Sequence, residues 1–153
     1  MSRSCKQFIW ATIIVLAGAT AVRLSHAQGG GSSPLILLSD LQVHSVSAPT
    51  TVKRGEVISV SDTTTNTGTA SAVQSVTGIY ISTNLNNVSS FWITNHITSG
   101  LAVGQSWPWA GSVTVPTNQP LGTNYFVVVA NSTRIVSELN YYNNTNYVMI
   151  MVY

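Results

Sequence analysis

Few side chains here could move a proton or hold a cation. The 153 residues include four carboxylates, Asp40, Glu56, Asp62 and Glu138, and three histidines, of which His26 lies in an N-terminal segment expected to be removed. His44 and His96 fall in separate candidate strands, without a second ligand at metal spacing, and are expected to face solvent or simply to pack. Asp62 shares a strand face with Ile58 and Val60 and so points inward. One acid without an acidic neighbour makes a poor cation site, so its expected task is to accept backbone N–H bonds near the strand end. Glu138 is expected to do similar structural work, held in a turn beside Asn143 and Asn144, where it fixes the final hairpin. The sequence has no nucleophile elbow, no local Ser/His/acid set, no paired metal ligands and no phosphate-cradling glycine loop. It therefore reads as a non-enzyme, without a cofactor.

The chain has more to offer in aromatic chemistry. Trp107 and Trp109 flank Pro108, and Phe91, Trp92, Tyr141 and Tyr142 add further rings in segments that read as edges and turns. In an extended backbone Trp107 and Trp109 lie on one side. Two readings follow. The indoles could form a platform for sugar rings, helped by Trp92 or Tyr142, or they could cover an edge or end of the domain. Pro108 cannot donate to a ladder, so it interrupts its strand and belongs at an edge or bulge.

Composition narrows the setting. Only 7% of residues are charged, far below the roughly 25% usual for globular chains, so Ser, Thr and Asn must supply the polar surface. The formal charge of +2 includes Arg3, Lys6 and Arg23, which lie in a segment built like a secretory signal. That segment, residues 1–27, has basic residues, an apolar stretch from Phe8 to Val22, and small residues at Ser25 and Ala27. Cleavage would leave Gln28 first, although Ala19-Thr20-Ala21 offers a second site. The stretch is shorter than the ~18 residues of a membrane span. Without it three cations face four carboxylates, which leaves nothing for nucleic acid and no membrane attachment. Cys5 precedes the apolar stretch, so the exported chain has no cysteine and must rely on packing.

The elements that position these residues read as strands. Tyr125 to Ala130 and Tyr147 to Val152 are short β-branched and aromatic runs, joined by an Asn-rich turn into an antiparallel hairpin. Upstream, Asp40 to Val46 alternates with Leu41, Val43 and Ser45 on one face, and Val57 to Thr65 places Ile58 and Val60 inward. Asn66-Thr67-Gly68 reads as a turn, with Gly68 available for a positive φ. Thr77, Ile79 and Ile81 share one face of the next strand, and Phe91 to Ile97 reads as an edge. With Gln105 to Val115 this makes about seven strands without helical period, the pattern of an immunoglobulin-like antiparallel β-sandwich. Before it, residues 28–39 form a Gly/Ser leader and an apolar run, Pro34-Leu35-Ile36-Leu37-Leu38. That run either pairs with its own domain as an edge strand or inserts into another copy.

Val136-Ser137-Glu138-Leu139-Asn140-Tyr141-Tyr142-Asn143-Asn144-Thr145 is the most specific pattern. A hydrophobic residue, a Glu, then Asn-Asn before the last strand resembles the CARDB family of secreted, adhesion-related immunoglobulin-like domains. The resemblance continues through Asp40-Leu41, Gly55, Asn66-Thr67-Gly68, Tyr80-Ile81-Ser82-Thr83, Gly104, Val113-Thr114-Val115-Pro116 and Gly122, and so covers residues 40–153. It implies Greek-key order. This chain has Asn84, Asn131 and Tyr141 where the family often has an acid, so no metal is expected. The expected function is that of a secreted, non-catalytic structural or adhesion module, self-associating through edge strands into an oligomer or filament. A carbohydrate-binding module is the alternative. Expected partners are other copies, or a protein or polysaccharide of the cell surface.

Overall fold

The computed structural model describes residues 36–86 and 92–153. The expected signal peptide, most of the leader with Pro34 and Leu35, and Phe91 lie outside the described residues. Eight strands run in chain order: β1 (Leu41–Ser47), β2 (Thr51–Val52), β3 (Val57–Asn66), β4 (Ser75–Ser82), β5 (Trp92–Thr98), β6 (Ser106–Thr114), β7 (Gly122–Val129) and β8 (Thr145–Val152). They form two sheets, β1-β3-β6 and β2-β8-β7-β4-β5, antiparallel except where β2 lies parallel to β8. The expected final hairpin is β7–β8, and β7 is the middle strand of the larger sheet.

Alternation explains the core. Leu41 and Val43, Ile58 and Val60, Ile79 and Ile81, Phe126 and Val128, and Ile150 and Val152 point between the sheets and are buried. Each such side chain contributes about 1.5–3 kcal/mol. Val127 alternates with Phe126 and Val128 and so lies on the outer face, yet it is fully buried. Its register partners on either side are Tyr147 and Tyr80, whose rings account for that cover.

Several expectations need correction. β1 does not keep Leu41, Val43 and Ser45 on one face, because its pairing with β3 shifts register between Val43 and Ser45. The bulge inserts one residue and inverts the alternation, so Val46 packs on the core. Gly68 does not use a positive φ. It is required by close approach, since a Cβ there would sit 2.5 Å from the backbone of Leu38, Ser39 and Asp40. Trp107-Pro108-Trp109 does not interrupt its strand: β6 runs straight through and pairs with β3 from Thr114 to Ser106. Proline is tolerated because β6 is an edge strand with one pairing side open. Upstream of β3, Val52 pairs with Val152 in the short parallel β2–β8 contact, which the sequence pattern does not announce.

The described part of the apolar leader lies along its own domain. Thr69 N–H and Ala70 N–H donate to the Leu38 carbonyl, and Thr69 Oγ1 donates to the Ile36 carbonyl. Ser39 bridges to Glu138. Ile36 remains exposed and Leu37 half-buried.

Candidate functional site

Four places concentrate polar or aromatic groups. The first is a knot around Glu138. Its Oε2 accepts the Leu41 N–H, and its Oε1 accepts the side-chain amides of Asn131 and Asn144 (2.9 Å from Asn144). One carboxylate thus ties the start of β1 to the end of β7 and the start of β8. The expected backbone acceptance is real, but the partner is Leu41 rather than the hairpin, and Asn143 turns instead to the carboxylate of Asp40 at 3.1 Å. Burial pushes the Glu138 carboxyl above its ordinary 4.5. The Asn131 amide, the Leu41 N–H and the Asn144 amide oppose the rise, and the nearby Asp40 charge adds to it. Asn66 plays a matching part opposite. Its Oδ1 accepts from Asp40 and Gly68 N–H, and its Nδ2 donates to the carbonyls of Ala70 and Leu101.

The second place joins the sheets. Asp62 on β3 faces inward as expected, but its partner is a side chain: Oδ2 lies 2.9 Å from Nε2 of His96 on β5. His96 is therefore not solvent-facing. Its ring stacks on Trp109 of β6 with centroids 4.3 Å apart and planes 3° apart. Trp109 in turn lies over Gly111, where a Cβ would come within 2.5 Å of the indole. This corrects the platform reading: Trp109 is committed to the space between the sheets. Trp107 shares its side and is partly exposed, Trp92 opens onto the outer face of the other sheet, and Tyr142 projects alone into solvent at 98% exposure. The structure does not gather these rings into one surface.

The third place is that outer face. Tyr147 of β8, Val127 of β7, Tyr80 of β4 and Trp92 of β5 are successive register partners, forming a row across four strands. Tyr125 meets Tyr147 edge-on, with centroids 5.6 Å apart. Met149, Met151 and Ile97 extend the exposed apolar area, and these four strands contain no Lys, Arg, Asp or Glu. Sequence reasoning missed this face, although alternation of Tyr147, Met149 and Met151 against Ile150 and Val152 carries the signal.

The fourth is a pocket at one end of that face, lined by Tyr80, Val129, Asn131, Ser132, Arg134, Tyr141, Asn144 and Thr145, with a volume of about 220 Å³. The Arg134 guanidinium lies over the Tyr141 ring, 5.4 Å from its centroid. Tyr141 is anchored by its hydroxyl, which donates to the Val136 carbonyl and accepts the Glu138 N–H.

Among the described residues, two sheets, eight strands and this turn architecture define an immunoglobulin-like module. The CARDB family model matches residues 38–148, and the chain belongs to that family. A comparison with curated proteins finds no relative. Among solved structures, the CARDB domain of a Pyrococcus furiosus protein, in complex with di-metal ions, is 19% identical with a TM-score of 0.59, covering 79% of this chain and 95% of that one. A domain of a putative cell surface protein from Methanosarcina acetivorans is 16% identical at TM-score 0.56, covering 76% and 94%. A Listeria innocua β-glucosidase contains a similar region, 16% identical at TM-score 0.50, covering 75% of this chain but 16% of the enzyme. These likenesses concern the fold. Among the described residues no three His, Cys, Asp or Glu side chains converge into a site that could hold such a metal pair. Amide donors meet Asp40 and Glu138 where a cation would need more carboxylates.

Proposed function

We propose that this chain is an exported, non-catalytic adhesion module that associates with further copies of itself through the outer face of its larger sheet. The observation that carries this reading is the uncharged row Tyr147, Val127, Tyr80 and Trp92 with Met149, Met151 and Ile97 around it. Contiguous apolar patches of this kind mark interaction sites. Four strands about 4.8 Å apart and about 26 Å long give roughly 500 Å² in projection, and more in accessible area. That approaches the ~800 Å² per partner of a standard interface. A like-for-like partner fits because the face offers neither charge to complement nor charge to desolvate. Export rests on the signal-like residues 1–27.

Light scattering on the full chain and on Met149→Lys tests the reading. Met149 is 66% exposed, so the substitution should leave the fold intact while placing a charge at the centre of the contact. A concentration-dependent dimer or larger assembly that Met149→Lys abolishes is expected. A wild-type chain that stays monomeric at about 0.1 mM would refute it.

A further inference from the structure

We propose that the pocket beside Tyr141 binds one carboxylate-bearing sugar ring, such as a uronate residue of an acidic polysaccharide, with Arg134 as its reader. This site lies at one end of the self-association face and shares Tyr80 with it, but its reader, Arg134, lies outside that row.

Three observations converge. Arg134 adopts φ 54, a left-handed conformation that Gly or Asn accepts far more readily than Arg. Asn131, three residues earlier, also sits there with φ 45, and its carbonyl accepts the Arg134 N–H at 2.8 Å. Glycine at 134 would serve this turn with less strain. Second, the guanidinium has neither an ion-pair nor a hydrogen-bond partner among the described residues, and its carbon lies over the Tyr141 ring, 5.4 Å from the centroid. By contrast Arg54 Nε donates to the Gln119 carbonyl. A guanidinium whose N–H groups have no protein partner has them available for a planar carboxylate, the bidentate geometry that arginine suits best.

Third, the remaining walls suit a pyranose. Tyr80 and Tyr141 contribute aromatic side chains to the lining, and Ser132 and Thr145 contribute hydroxyls, of which that of Ser132 donates to the Val76 carbonyl and keeps its acceptor side. Asn144, also in the wall, keeps a buried Oδ1 without a hydrogen-bond partner. The volume of about 220 Å³ falls below the roughly 300–1,000 Å³ of sites for drug-sized ligands, which matches one ring rather than a chain. No carboxylate is among the lining residues, and that of Glu138 lies behind the Asn131 and Asn144 amides that it accepts.

Calorimetry with the full chain should compare an oligogalacturonide, a neutral gluco-oligosaccharide of equal length, and inorganic sulfate. The oligogalacturonide should bind, the neutral oligosaccharide at least about tenfold more weakly, and sulfate only at crystallisation-like concentration. Arg134→Gly should lose at least about tenfold in affinity for the oligogalacturonide while its melting temperature stays level or rises, because the left-handed strain is relieved. Absence of oligogalacturonide binding, equal binding of the neutral sugar, or equal binding of sulfate would overturn the proposal. So would an Arg134→Gly variant that binds normally, or one whose melting temperature falls sharply, since Arg134 would then be a brace on Tyr141. The solution mass of Arg134→Gly should equal that of wild type, which separates this site from the sheet-face contact.

Discussion

Replacing Glu138 with alanine removes three hydrogen bonds at once, and their separate fates set the cost. The Asn131 amide keeps the Val136 carbonyl at 2.8 Å, and the Asn144 amide keeps the Ala130 carbonyl at 3.2 Å. The Leu41 N–H has no such reserve and becomes an orphaned donor in the buried start of β1, at about 1–3 kcal/mol. The two lost amide bonds to an ionised group add about 1.5–3 kcal/mol each before offsets. Against this stands relief of the desolvation that holds the carboxyl above its ordinary value. The net expectation is a loss of about 2–4 kcal/mol, which for a domain of this size is roughly 10 °C in Tm. Urea denaturation should show the midpoint falling by about 1–2 M with an unchanged slope. Leu139→Ala, the exposed neighbour, serves as the control and should stay within about 0.5 kcal/mol. A Glu138→Ala midpoint indistinguishable from the control would show that the knot is ornamental and that β1 is held by packing alone.

Asn131→Asp would set two carboxylates against each other at Oε1 of Glu138, costing about 2–4 kcal/mol at neutral pH and easing in acid, which thermal melts at two pH values would register. Gly68→Ala should cost more than about 2 kcal/mol, because its Cβ would meet backbone atoms 2.5 Å away that cannot swing aside; circular dichroism melts suffice to check it. The raised Glu138 value implies a specific pH dependence. Between its ordinary 4.5 and the higher folded value, the folded state keeps a proton that the unfolded chain has released, so this group's contribution is greatest below that window and declines as pH rises through it. Glu138→Gln should flatten this segment of the Tm-against-pH curve. Chelator should leave Tm unchanged, because Asn84, Asn131 and Tyr141 do not replace carboxylates as calcium ligands; a drop of many degrees restored by calcium would refute that.

Much of the sandwich was legible because one face of most strands is buried, and burial writes a period of two into the sequence. β3 and β8 follow that pattern closely, while β4 and β7, buried on both faces, show instead as short apolar, β-branched runs. The errors cluster where geometry breaks the period. The β1 bulge displaces the inward set by one residue, and nothing in His44-Ser45 announces it. β2 is too short to show alternation. The Asp62–His96 link joins strands of different sheets, and pairings between layers leave no local trace, although an inward acid should have prompted a search for an inward base. Arg134 was invisible for another reason: its conformation is imposed by the turn around it, while its residue type argues for a different one.

The two rings that lie over glycines tie positions together through descent. Trp109 covers Gly111, and Tyr80 covers Gly78, each from two residues away on the same strand. A side chain can enter at 111 or 78 only after the ring has left or turned. Among diverging relatives these positions should therefore change in a set order, aromatic first and glycine second, so that intermediates with a ring and a larger residue together are rare. In Trp109 the constraint reaches further, because losing the indole also uncovers the His96 ring, so drift at three positions on two strands is bound to one event.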